Sequence, residues 1–194
     1  MTLLIKPLRD RSKLLFVMFC SLDRPEDRPL TLVWLYTQFI ASYLVLIPLL
    51  VYFESHDMLP LLMIIIIANG VGDGLAEPLG IRFGKRKYTT YALWTKEKYV
   101  RSYVASACVF VTTFFAILAF QQYFNSTQLI VALITIPILI TLAEAFSPHT
   151  WDSPLIYAVG GVSMMSIVIF LWILEKIQKI YNFWQITNYL SLTT

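Results

Sequence analysis

The chain has 194 residues, of which 58% are hydrophobic, 15% aromatic and only 14% charged, where a soluble domain carries roughly 25% charged residues. Its mean hydropathy of +0.68 means more apolar side chain than one small core can hide. That excludes a soluble enzyme, a disordered segment and a disulfide-stapled secreted module, and leaves an integral membrane protein of net charge +3.

Residues 1–29 carry Lys6, Arg9, Arg11, Lys13, Arg24 and Arg28 around the short apolar stretch Leu14 to Cys20. No small-residue cleavage site follows, and residues 23–29 are dense in charge and proline, so an interfacial amphipathic segment is expected ahead of a signal peptide. Leu30 to Phe53, Ser102 to Phe120 and Pro154 to Leu174 are each long and apolar enough to cross a bilayer. Leu129 to Phe146 also qualifies, with Pro137 in its middle and Glu144 near its end. Met58 to Val71 is too short to cross alone. It is expected to borrow the glycine-rich stretch that follows or to end as a half-membrane helix.

The expected fold class is therefore all-α, a polytopic membrane helix bundle of about five spans, one of them short or broken at the Gly-Asp-Gly segment. Residues 30–175 would form the bundle, 1–29 the basic N-terminal segment and 176–194 a C-terminal tail. Six Lys and Arg precede the first span, seven lie between Gly72 and Arg101, and none fall in 54–57, 121–128 or 147–153. With five crossings the positive-inside rule puts the N-terminus, the Gly72 to Arg101 loop and the 147–153 loop in the cytosol. A bacterial inner membrane or an organellar membrane fits equally.

Two polar islands fall on that face. In the first, Gly70, Gly72 and Gly74 surround Asp73, with Glu77, Pro78 and Gly80 following and Lys85-Arg86-Lys87 eleven residues further on. Glycines let a backbone approach a ligand and turn N–H groups toward an anion, and a carboxylate beside such a cradle suits magnesium shared with phosphate oxygens. The same glycines also serve plain helix packing, but an ionisable residue at membrane depth, as Asp73 is, is a functional candidate by default. Pro78 makes one continuous helix through this stretch unexpected. Gly80 and Gly84-Lys85 are one residue short of a P-loop and lack its strand-to-helix setting.

The second island runs from Glu144 through Pro148 and His149 to Asp152-Ser153-Pro154. A carboxylate at a helix C-terminus opposes the dipole, so Glu144 needs a reason beyond its helix, whereas Asp152 reads equally as a helix cap or a functional acid. Lys85, Lys87, Lys96, Lys98 and Arg101 are interleaved with Tyr88, Tyr91, Trp94 and Tyr99, as at any cytosolic span boundary. Nothing resembles a nucleic-acid reader. Asn125-Ser126-Thr127 matches a glycosylation acceptor on the opposite side, and Gly160 and Gly161 suit close helix packing.

Taken in order, Gly72-Asp73-Gly74 to Gly80, Phe83 to Tyr88, Thr95-Lys96, Arg101-Ser102, Glu144 to Pro148 and Asp152 to Leu155 resemble the CTP-dependent lipid kinases. That group comprises dolichol kinase, phytol kinase and CTP-dependent diacylglycerol kinase, and is itself similar to phosphatidate cytidylyltransferase. The resemblance covers roughly residues 60–175 and implies CTP as co-substrate, magnesium as cofactor and a membrane-resident alcohol as acceptor. It implies catalytic roles for Asp73, Glu144 and Asp152, with Asp73 and Glu77 at the metal. Gly70, Gly72, Gly74, Lys85, Lys87, Lys96 and Arg101 would lie near the phosphates. Ser153 stands where family members often have asparagine.

Two other readings remain open: cytidylyl transfer onto a lipid phosphate, and a non-enzymatic transporter or complex subunit. The long cytidylyltransferase signature is absent and no inverted repeat exists, which ranks the kinase first. A homo-oligomer is compatible with the composition.

Overall fold

A computed structural model describes residues 6–23, 29–91, 98–148 and 151–192. Lys96, His149 and residues 24–28 of the charged proline segment lie outside these.

Two short helices lead in, α1 (Lys6–Arg9) and α2 (Lys13–Leu22). Leu14, Phe16, Val17 and Met18 of α2 are exposed, as the apolar residues of an interfacial helix would be. Thr31 opens α3 (Thr31–Ser55) and donates its hydroxyl to Asp23 Oδ1 at 2.6 Å, which ties the end of α2 to the start of the bundle.

Asp57, in the left-handed region at φ 55°, reverses the chain into α4 (Leu59–Ile67). Leu61, Leu62, Ile64 and Ile65 of α4 are fully covered, so this short helix is the bundle's axis. The expected break does not occur. The chain continues through a π-helical turn (Ala68–Asp73) into α5 (Gly74–Phe83), and the 25 residues Leu59–Phe83 form one candidate span. A widened turn takes up the backbone disturbance that the glycines and Pro78 introduce, so the helical path is distorted without being cut.

After α5 the all-α expectation meets an exception. β1 (Lys87–Tyr91) and β2 (Lys98–Ser102) form an antiparallel hairpin, paired from Lys87↔Ser102 to Tyr91↔Lys98. Tyr88, Thr89, Thr90, Tyr91, Tyr99 and Val100 are aromatic or β-branched, which favours a pleated strand over the helical flank that their charges suggest.

Then follow α6 (Tyr103–Ala119), a 3₁₀ turn (Gln121–Tyr123), α7 (Ser126–Phe146) and α8 (Asp152–Leu192). Asn125 caps α7: its side chain accepts from the Gln128 backbone at 2.7 Å, and the Gln128 side chain accepts from the Asn125 backbone at 3.0 Å. The sequon amide is thus part of a capping box.

Four helices among the described residues are long and apolar enough to cross a membrane: α3, the α4–α5 path, α7 and the Asp152–Asn182 part of α8. α6, at 17 residues, is shorter than the Ser102 to Phe120 span expected, because Ser102 leaves the helix to end β2 and cap α6. Helix α8 runs without interruption beyond residue 175. Gly160 and Gly161 bring it close: a Cβ at Gly160 would meet Ile65 Cγ2 at 2.9 Å, and one at Gly161 would meet Leu49 Cδ1 at 2.5 Å. The result is a polytopic helical bundle whose outer surface, including Leu44, Ile81 and Phe115, is apolar and exposed.

Candidate functional site

The start of α3, the end of α5, the hairpin, the start of α6, the end of α7 and the start of α8 gather at one end of the bundle. Hydrogen bonds join the hairpin to α6 and α7, and α3 to α8. Both polar islands therefore share a face, as the crossing count anticipates.

The tightest feature there is an ion pair. Arg101 of β2 donates from one guanidinium nitrogen to Glu144 Oε1 at 2.5 Å and from the other to Ser147 Oγ at 3.0 Å. Ser106 of α6 donates to Glu144 Oε2 at 3.4 Å, and Tyr88 of β1 shares a 2.5 Å hydrogen bond with Ser106. Burial pushes the Tyr88 phenol above its ordinary pKa, and the Ser106 hydrogen bond opposes that rise. Glu144 is 1% exposed. The acid at the end of α7 is thus explained by its partner: Arg101 faces it across the bundle end.

The last turn of α7 has carbonyls without helical partners, and two are met nearby. Thr90 Oγ1 of β1 donates to the Ala145 carbonyl at 2.9 Å, and Ser147 Oγ donates to the Glu144 carbonyl at 2.8 Å. The hairpin is in this way fastened to the helix end through both strands.

Beside this network lies a cleft of about 320 Å³ between α3, the π turn and the start of α8. Helix α3 lines it with the apolar Leu35, Phe39 and Leu46 and the polar Gln38, Ser42 and Tyr43, and Asn69, Ser153 and Tyr157 complete the lining. Gln38 Nε2 donates to Asp152 Oδ1 at 3.3 Å and to Ser153 Oγ at 3.4 Å, so Asp152 stands at the cleft's rim. Asp152 Oδ1 also accepts from the Ser153 backbone N–H at 3.0 Å, so its helix-start contact and its contact across to α3 coexist on one oxygen. Asn69 Nδ2 donates to the Tyr157 hydroxyl at 3.0 Å. Asp73 lies close enough to Tyr157, and Asp152 close enough to Glu144, for their charges to interact.

The glycines behave differently from the expected cradle. None adopts a positive φ. Gly74 N–H is already used, bonded to the Asn69 and Val71 carbonyls, so the segment is helical and no open loop of N–H groups faces an anion. Gly72 is buried against α6, where a Cβ would lie 3.3 Å from Thr112 Cβ; Gly70 and Gly74 have nothing within 4 Å. Gly72 thus permits close helix packing, and the other two leave one helix face bare.

Asp73 is half-buried and Glu77, one helical turn on, is exposed on the same face. Among the described residues no three His, Cys, Asp or Glu side chains cluster as a complete metal cage. Two carboxylates one turn apart do match what magnesium takes from a protein when substrate phosphates complete its shell. Lys85 and Lys87 are exposed at the far end of α5, separated from Asp73 by ten helical residues or about 15 Å of rise. A triphosphate would have to lie along α5 to meet both.

Gln38, Asn69, Tyr157, Ser106 and Ser147 are the site members that motif reading passes over. Their signal was nonetheless present for Gln38 and Asn69, since a lone amide within an apolar span is costly and calls for a partner. No known protein family, curated protein or solved structure matches this chain.

Proposed function

We propose that this protein is a lipid-alcohol kinase, moving the terminal phosphoryl group of a nucleoside triphosphate, CTP by its motifs, onto the hydroxyl of a membrane lipid. The observation that carries the reading is the cleft, lined in part by apolar Leu35, Phe39 and Leu46 and in part by polar Gln38, Ser42, Tyr43, Asn69, Ser153 and Tyr157, with Asp152 bonded to Gln38. An alcohol with a long apolar tail has that same division.

Asp73 and Glu77 would hold Mg2+, which when bound neutralises phosphate charge. Asp152 is the better base of the two acids in the second island, because Glu144 is taken up by Arg101 whereas Asp152 faces the cleft through Gln38. It accepts the proton of the lipid hydroxyl as the new O–P bond forms and CDP departs. Phosphoryl transfer needs mostly positioning and charge neutralisation, which this small polar set supplies. The positive-inside rule supports a reaction on the cytosolic face.

The test uses purified protein with magnesium, prenols and diacylglycerol, and CTP labelled at the γ or α position in parallel. Label from the γ position alone is expected in the lipid. Label from the α position would make the protein a cytidylyltransferase, and none from either would leave a binding or transport role. Asp73→Asn and Asp152→Asn are expected to lower turnover at least a hundredfold while the protein elutes as folded. Full activity in Asp73→Asn would overturn the metal assignment.

A further inference from the structure

The Asn69–Tyr157 pair has no part in the motifs, yet its geometry is particular. Asn69 sits in the π-helical turn, whose wider winding sets it opposite α8, and such turns often carry functional side chains. Its Nδ2 donates to the Tyr157 hydroxyl, so the phenolic oxygen already acts as acceptor and its own proton is left to donate elsewhere. Asn69 Oδ1 is buried without a hydrogen-bond partner. An orphaned buried acceptor costs the full desolvation of that atom unless something meets it. Both residues line the cleft, to which α3 contributes apolar Leu35, Phe39 and Leu46 beside polar Gln38, Ser42 and Tyr43.

We infer that Asn69 and Tyr157 form a receptor for one alcohol hydroxyl, which donates to Asn69 Oδ1 and accepts from the Tyr157 O–H. A hydroxyl is the group that satisfies both, being donor and acceptor at one atom. Reversing the Asn69 amide only exchanges which partner donates, because one amide atom then still lacks a partner. The apolar chain attached to that hydroxyl runs along Leu35, Phe39 and Leu46 of α3. The inference rests on reading the cleft as the acceptor-alcohol site and adds the two residues that recognise the reacting group. They are positioning residues: they set where the oxygen sits in the bound state, and for transfer its one O–H turns from Asn69 Oδ1 to Asp152, which takes the proton.

The experiment begins without nucleotide or magnesium. Binding of a long-chain prenol and of its methyl ether to the full-length protein in detergent is measured by thermal unfolding at increasing ligand, and diacylglycerol and its methyl ether form a second pair. The ether keeps the chain but cannot donate. The alcohol is expected to bind about tenfold more tightly than its ether in whichever pair carries the right chain; Asn69→Leu is expected to level the two, and Tyr157→Phe to weaken both. In turnover, Tyr157→Phe, which keeps the ring and its packing, is expected to raise the lipid KM about tenfold with the KM for CTP unchanged. Equal binding of alcohol and ether in both pairs, a preference that survives in Asn69→Leu, or unchanged binding of both ligands in Tyr157→Phe overturns the inference. Failure of the kinase reading looks different: the alcohol preference is present and lost in Asn69→Leu, yet no label from CTP enters the lipid. Label entering the lipid with an unchanged lipid KM in Tyr157→Phe overturns the hydroxyl receptor alone.

Discussion

Removing Arg101 exposes how the hairpin is held. Glu144 is 1% exposed and receives one charged hydrogen bond at 2.5 Å from Arg101, whose own side chain is 20% exposed. In Arg101→Ala the carboxylate stays buried and loses its countercharge, and breaking such a pair from one side costs about 3–5 kcal/mol. For a chain of this length that corresponds to a fall in Tm of about 10 °C.

Glu144→Gln is milder. Its amide oxygen still accepts from Arg101, and the part-exposed guanidinium reaches water, so the loss is about 1.5 kcal/mol, the worth of one charge-assisted bond. The double replacement Arg101→Met with Glu144→Leu removes both charges at similar volume and is expected to recover most of the stability lost in Arg101→Ala. The assay heats the three variants and the parent in detergent and follows the soluble folded fraction by size-exclusion fluorescence. An Arg101→Ala variant that melts within about 2 °C of the parent, or a double variant less stable than Arg101→Ala, refutes the reasoning. The same proteins test the role of the acid: Glu144→Gln is expected to keep most of its turnover, and complete loss at an unchanged Tm would move Glu144 from clamp to chemistry.

The glycines separate packing from ligand contact. A Cβ at Gly84 would lie 2.2 Å from the Gly80 carbonyl and 2.7 Å from Ser102 Cβ, so Gly84→Ala is expected to destabilise by about 2 kcal/mol, read as a lower Tm. Gly70→Ala and Gly74→Ala meet nothing within 4 Å and are expected to stabilise by about 0.5 kcal/mol each; lost turnover in either would show that a ligand approaches that backbone. Asn125→Ala removes the side-chain arm of the capping box from α7, leaving the backbone bond to Gln128, and is expected to cost about 1 kcal/mol, or about 3 °C in Tm, with activity unchanged.

The amino-acid order alone determined the membrane class, the approximate limits of the long helices and the gathering of both polar islands at one end. Apolar length and the placement of Lys and Arg are local, additive properties, readable without knowing which helix touches which. Helix ends were legible where a turn residue marks them, as at Pro148 after α7. The hairpin was not, because Lys87 to Ser102 has the charge of a cytosolic flank and only its Tyr, Thr and Val residues favour a strand. The π turn was hidden for a related reason. Gly and Pro announce that a helix is disturbed, while the packing of Gly72 on α6 and of α4 in the core decides that it bends and does not break. Pairings were the least legible of all. Arg101 meets Glu144 and Asn69 meets Tyr157 across 43 and 88 residues, and each is fixed by the order in which helices pack. A buried charge or amide states in the sequence only that it needs a partner; the tertiary structure alone selects which residue that partner is.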